Sequence, residues 1–306
     1  MRGQGSRLTA PVVRRLLSPM GFEFALHFPK PPLDRHIESL TFYSGFDPRH
    51  DREKLIPDGA IQIIVDLTDT PKKLYASETS PIGVDFSRSW ISGMQQRWII
   101  IEAQQAASML VIRFRPGGAF AFVRHDATAF TNSVHALDGV INGRAGSLRD
   151  RILAAPTTPD KFAATEAWLI EQCRGEFALN PAAVHMAATL GRPGRRVADA
   201  AAAVGLSDRQ MRNVFDRWIG VSPKSYARIA RFQRVLAASG AVELADPLNN
   251  GEALPPPDWA ALAAATGYSD QSHLHHDFVA FAGTTPGAYA SAYRGLSNYL
   301  PITLPR

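Results

Sequence analysis

The chain has 306 residues, 45% of them hydrophobic and 20% charged, which is enough apolar material for about two globular domains. A formal charge of +5 and a pI of about 9.5 are compatible with a polyanionic partner, but where the charge sits matters more than its sum. The one cysteine, Cys173, excludes an intramolecular disulfide or a Cys-rich zinc module, and no apolar run is long enough to span a membrane.

Residues 1 to about 20 are basic but lack the apolar core of a signal peptide. A loose N-terminus is expected, in a cytoplasmic protein whose thiol fits a reducing compartment. The runs Phe22–Phe28, Ile37–Tyr43, Ala60–Leu67, Arg97–Ile101 and Ser108–Phe114 are short and rich in β-branched and aromatic residues. Turn signals at Pro57-Asp58-Gly59 and Pro116-Gly117-Gly118 punctuate them. They predict a β-sandwich or small barrel. Asp58 and Asp66 flank an apolar run, and Arg113 and Arg115 alternate with Phe114. These residues read either as a pocket for an acidic effector or as surface salt bridges. His27, His36, His50, His125 and His135 are scattered, and no nucleophile elbow, phosphate loop or dinucleotide fingerprint occurs. No enzyme activity, cofactor or metal is therefore expected.

Helical spacing begins at Gly146–Ala155 and continues in Thr158–Arg174, where Phe162, Thr165, Leu169 and Cys173 share one face with Trp168 and Glu166 at its margins. These helices, packed on the strands or pairing two subunits, complete a first domain expected over 20–180. A linker is expected over 181–196, ending in the sequence GRPGRR. A second, all-helical domain is expected over 197–294. It is interrupted by a Pro-rich insert at 245–258 that is longer than a simple connection needs.

Within that helical half the chain repeats itself. Ala201, Gly205, Ser207 and Asp208 match Ala263, Gly267, Ser269 and Asp270; after one extra residue, Phe215, Gly220, Pro223 and Tyr226 match Phe278, Gly283, Pro286 and Tyr289. Each copy reads as a short helix with a small alanine at a close approach, then a glycine suited to positive φ. A Ser-Asp pair able to cap follows, and then a second helix with an apolar stripe. The stripe is Met211, Val214, Phe215 and Trp218 in the first copy, and Leu274, Phe278 and Phe281 in the second. Helix, glycine turn, capped helix is a helix-turn-helix.

Two such copies, each followed by Gly-x-[Ser/Thr]-Pro-x-x-Tyr, resemble the DNA-binding region of the AraC/XylS family of bacterial transcription regulators, over roughly residues 195–294. The resemblance implies helix-turn-helix units at about 197–218 and 259–282, joined by a long helix at about 223–239. It also implies that both second helices enter successive major grooves, about 34 Å apart. Leu55–Leu67 and Val111–Phe122 more loosely resemble the β-rich, cupin-like sensor regions of that family. The expected fold is thus α+β, a cupin-like N-terminal domain followed by the double helix-turn-helix.

Charge divides unevenly between the repeats. Residues 192–234 hold ten Lys or Arg against Asp199, Asp208 and Asp216, a net of +7, whereas 235–294 hold Arg294 against six acids, a net of −5. The first unit is therefore expected to supply most of the attraction to phosphate, and the second to add specificity. Base contacts are expected from Arg209, Gln210, Arg212 and Asn213, since Arg pairs bidentately with guanine and Asn or Gln with adenine. In the second unit Gln271, Ser272, His273, His275 and His276 are the candidates. Protonation of the three imidazoles against phosphate would strengthen binding in mild acid. No Cys follows them, and the usual zinc spacings are absent. Arg217 and Lys224 suit phosphate. The expected partner is double-stranded DNA, with a small-molecule effector, RNA polymerase and a second copy of the chain as further partners the reading allows. The alternative is a small-molecule-binding protein whose helical half makes protein contacts only.

Overall fold

A computed structural model of the chain describes residues 14–17, 22–173, 177–240, 257–293 and 298–304. Most of residues 1 to about 20, for which a loose segment is expected, and most of the insert at 245–258 lie outside the described residues. The strands are β1 (Arg14–Leu17), β2 (Glu23–His27), β3 (Ile37–Phe46), β4 (Arg52–Leu55), β5 (Gln62–Asp66), β6 (Lys73–Tyr75), β7 (Gly83–Asp85), β8 (Ser89–Ser92), β9 (Ile99–Glu102), β10 (Ala107–Phe114), β11 (Val134–Ala136) and β12 (Tyr299–Ile302). The helices are α1 (Phe120–Val123), α2 (Leu137–Val140), α3 (Ala145–Ala154), α4 (Thr158–Cys173), α5 (Pro181–Leu190), α6 (Val197–Ala203), α7 (Asp208–Trp218), α8 (Pro223–Ala238), α9 (Trp259–Thr266), α10 (Gln271–Ala282) and α11 (Pro286–Ala292). The chain is thus a β-rich region followed by a helical one, as expected, with a return to β structure at its end.

Two antiparallel sheets form the β-rich region. The first runs β1-β2-β3-β10-β5-β8-β11 and the second β12-β4-β9-β6-β7. Both faces of the first sheet are covered, which is why its strands read as nearly continuous apolar runs. One face presents Ala25, Leu40, Phe42, Ile63, Val65, Ile91, Leu110 and Ile112 to α3 and α4, where Leu148, Ile152, Phe162, Trp168 and Leu169 complete the largest core. Burying each large apolar side chain stabilises the fold by about 1.5–3 kcal/mol. Cys173 lies in this core, and burial pushes its thiol up to about 12, so it is an inert packing residue.

The opposite face alternates differently. Ser39, Thr41, Gln62, Ser92 and Arg113 stand beside Phe24, Tyr43 and Val111, and together with Glu53, Leu55, Ile99 and Tyr299 of the second sheet they wall a cavity of about 210 Å³. Arg113 pairs there with Glu38 (2.9 Å) and with Asp58, whose carboxylate also accepts from the Gln62 amide (2.5 Å) and the Ala60 N–H (3.1 Å). Of Arg113 and Arg115, which alternate with Phe114, only Arg113 lines this side. Arg115 falls after the strand end, is exposed, and donates to the Asp34 carbonyl. Asp66 is buried and accepts from the backbone N–H and hydroxyl of Thr68.

The expected linker at 181–196 is helical over most of its length. Asn180 accepts from the Ala183 N–H, Pro181 occupies the first helical turn, and Ala183, Met186, Ala187 and Leu190 of α5 are buried against α6 and α7. Only 191–196 remains a loop. A second difference is β12, which pairs with β4 and carries Leu300 into a core shared by Ile56 and the helices α8–α11.

Candidate nucleic-acid interface

The repeated residues fold into repeated geometry. Gly205 (φ +67°) and Gly267 (φ +90°) both take the left-handed conformation that spares them a side-chain clash. The residue after each glycine, Leu206 or Tyr268, donates its N–H to the matched alanine carbonyl, Ala201 at 3.2 Å and Ala263 at 2.9 Å. These bonds close the end of the first helix in each unit. Phe215 and Phe278 are fully buried and meet the ring edges of Tyr226 (5.9 Å) and Tyr289 (5.5 Å). Pro223 and Pro286 start the helices that follow, capped by Ser222 and Thr285.

The extra residue of the second copy falls at the cap. Ser207 caps α7 through a capping box with Gln210, whereas α10 is capped by Asp270, whose carboxylate accepts from the His273 N–H at 2.7 Å. That bond holds the Asp270 carboxyl below its usual range.

The outward faces of α7 and α10 form the candidate interface. Arg209, Arg212 and Asn213 are exposed on the first two turns of α7, and Gln271, Ser272, His275 and His276 are exposed on α10. Lys224, at the start of α8, is exposed as well. Three of the expected contacts are occupied within the chain. The Gln210 amide oxygen accepts from both the N–H (2.9 Å) and the hydroxyl (2.8 Å) of Ser207. His273 lies between Arg231, which donates to its Nε2 (3.0 Å), and the Ser269 hydroxyl (3.1 Å), against the Tyr268 ring. Arg217 pairs with Asp126 (3.5 Å) and lies over the Phe120 ring (5.0 Å).

The last of these belongs to a contact between the halves of the molecule. Trp218, at the end of α7, packs on Phe120 with ring centroids 4.3 Å apart, and the Thr131 hydroxyl donates to the Gly220 carbonyl. In the second unit Asp277, at the position of Val214 in the first, is buried. It accepts from Arg228 (2.6 Å), Arg231 (3.3 Å) and the Tyr268 hydroxyl (2.9 Å). Burial and this carboxylate push the Tyr268 hydroxyl well above its ordinary range. Arg234 donates to the carbonyls of Gly191 and Thr266. The basic run at 192–234 therefore spends Arg228, Arg231 and Arg234 on holding helices together, and Arg217 on the β-rich half. Arg192, Arg195, Arg196, Arg209, Arg212 and Lys224 stay exposed, with no ion pair among the described residues. One signal could have exposed the internal network, a lone acid in an apolar stripe beside Leu274 and Phe278.

Among the described residues no group of three or more His, Cys, Asp or Glu could hold a metal, and no helix is long and apolar enough to cross a membrane.

Residues 26–136 match a family model described as a domain of unknown function, DUF6597. No curated protein matches the chain. Among solved structures, the chain is similar to unsaturated-fatty-acid-bound ToxT from Vibrio cholerae strain SCE256, at 10% identity over 82% of this chain and 94% of that one, with a TM-score of 0.44. It is also similar to a probable AraC family transcriptional regulator from Rhodopseudomonas palustris CGA009 (24% identity, 34% of this chain and 84% of that one, TM-score 0.26). A third is the AraC-like transcriptional activator CuxR (11% identity, 74% and 86%, TM-score 0.29). Two of the three are named for the family that the repeated motif resembles.

Proposed function

We propose that this chain is a sequence-specific DNA-binding transcription regulator of the AraC/XylS type, with α7 and α10 as its two reading helices. The observation that carries the reading is the doubled unit itself. Two helix-turn-helices, closed by the same glycine turn and the same buried Phe–Tyr contact, each turn a short polar helix face outward. On α7 the base contacts are Arg209, Arg212 and Asn213; on α10 they are Gln271, Ser272, His275 and His276. Lys224 takes phosphate. Gln210, His273 and Arg217 are left out of the reading surface because their side chains are engaged elsewhere.

The cavity between the sheets, walled mostly by apolar side chains with a few polar groups among them, is the proposed effector site. A dry sandwich core would not place Ser39, Thr41, Gln62 and Arg113 on its inner face. The first domain, about 20–180, is then a sensor for a second domain at about 197–294. Such a regulator acts through RNA polymerase, and it pairs with a second copy if its operator proves two-fold.

The test is enrichment from a randomised duplex pool by the full-length chain. The expected product is a motif in two parts about one helical turn apart. Arg212→Ala should relax preference at one part, at a cost of about 1–3 kcal/mol. General, salt-sensitive binding with no enriched motif would sink the proposal and favour a helical half that makes protein contacts only.

A further inference from the structure

The second unit has no exposed cation of its own on α9 or α10, yet phosphate contacts supply most of the attraction of a protein to DNA. Its missing charge lies nearby, on a segment that sequence order assigns to the first unit. The loop 191–196, between α5 and α6, carries Arg192, Arg195 and Arg196, all exposed and with no ion pair among the described residues. The loop is fastened to the second unit. Arg234 of α8 donates one guanidinium nitrogen to the Gly191 carbonyl (2.6 Å) and another to the Thr266 carbonyl (3.3 Å). Thr266 and Gly267 form the turn between α9 and α10. A Cβ placed on Gly267 would come 3.9 Å from the backbone nitrogen of Gly194, and Gly194 itself turns the loop at φ +69°. Arg231 adds a longer bond to the Gly267 carbonyl at 3.4 Å.

We propose that this loop is the phosphate grip of the second reading helix. Arg192, Arg195 and Arg196 contact the DNA backbone beside α10, and Arg234 is the positioning residue that holds the loop against the α9–α10 turn. The inference rests on the DNA-binding reading above and changes how its attraction is shared. The sequence puts these three cations on the first unit, whereas the fold lends them to the second. Arg209, Arg212 and Lys224 remain the first unit's exposed cations with no ion pair among the described residues.

The experiment uses the full-length chain and a labelled duplex carrying the motif enriched from the random pool. The part of the motif weakened by Arg212→Ala is assigned to α7 and the other part to α10. Phosphate-ethylation interference is then mapped for the unaltered chain, for the triple variant Arg192→Gln, Arg195→Gln, Arg196→Gln, and for Arg234→Met. The triple variant should lose interference at phosphates flanking the α10 part and keep it at the α7 part. Its slope of log affinity against log salt should flatten by about 2 to 3, close to one per lost contact. Arg234→Met, which leaves the three cations in place but frees the loop, should blur the same phosphates. The triple variant alters exposed residues only, so it stays folded and remains informative even if Arg234→Met does not. Loss of interference at the α7 part, equal loss at both, or an unchanged salt slope would overturn the assignment. Failure of the DNA-binding reading looks different, because the unaltered chain would then yield no enriched duplex at all.

Discussion

The two helical units share their punctuation and differ in how they are completed. In both, a left-handed glycine and a buried Phe–Tyr contact recur at matched positions, and the second helix is capped, one residue later in the second unit. The surroundings do not recur. The first unit is closed by α5 through Ala183, Met186, Ala187 and Leu190, and by Met94 from the β-rich half. The second is closed by Ile56 and by Leu300 of β12, which ties it to the second sheet, and by the buried Asp277 cluster. A repeat in sequence therefore fixes the turns and the anchors of a unit. Non-repeated chain fixes how the unit is held and which charges it can show.

The largest effects test the shared part. Phe215→Ala and Phe278→Ala should each cost about 3–5 kcal/mol, read as a lower urea midpoint by tryptophan fluorescence. A cost under about 1 kcal/mol at either position would mean that the two anchors are not equivalent.

The next prediction tests what differs. Asp277→Ala should cost about 3 kcal/mol, since it leaves the buried Tyr268 hydroxyl unpaired and takes the shared carboxylate from Arg228 and Arg231. Val214→Ala, at the matching position of the first unit, removes only part of an apolar contact and should cost about 1 kcal/mol. Asp277→Val combined with Arg231→Met and Tyr268→Phe should recover most of the loss, because apolar groups then replace every buried member of the cluster.

A smaller effect concerns the β-rich half, which both units touch. His36 is buried between Phe122 and Phe177, near backbone carbonyls that its ring nitrogens do not reach with hydrogen-bond geometry. Burial is the main cause that lowers its pKa from 6.5. Above about pH 6.5 neither the folded nor the unfolded chain protonates it, and it has no effect on stability. As pH falls below that value the unfolded chain takes the proton first, so stability is lost toward acid. His36→Phe should reduce the difference between urea midpoints at pH 8 and pH 5. An unchanged difference would show that other groups carry it.

Much of this was legible in the residues. Ile37–Tyr43, Ala60–Leu67 and Ser108–Phe114 became β3, β5 and β10 because β-branched runs suit a sheet covered on both faces. The repeats located α6, α7, α9 and α10. Other elements were hidden for physical reasons. Arg52–Leu55 reads as polar, yet it pairs as a strand between β9 and β12, and its cations are buried there, the Arg52 guanidinium over Tyr75 (3.7 Å) and Lys54 over Trp98 (5.3 Å). β12 is four residues including Pro301, and only its partner β4, far back in the chain, makes it a strand. α5 was missed although Asn180 before Pro181 is a helix-start signal. Residue types and helix faces put Arg209, Arg212 and Asn213 on the outward side of α7, where they are exposed. They could not reveal that Arg217 meets Asp126, because that pairing depends on how the two halves pack.

If α7 and α10 read one face of one duplex, the spacing between the two parts of the motif is fixed, and changing it is the decisive measurement. The full-length chain is measured against the enriched duplex and against the same duplex with about 5 base pairs, half a turn, inserted between its two parts. The half-turn insertion should rotate one part out of reach and reduce affinity to that of a single part, and an insertion of about 10 base pairs, which keeps the parts on one face but beyond the fixed span of α7 and α10, should do the same. Binding that is indifferent to the half-turn insertion would contradict a paired reading by the two helices.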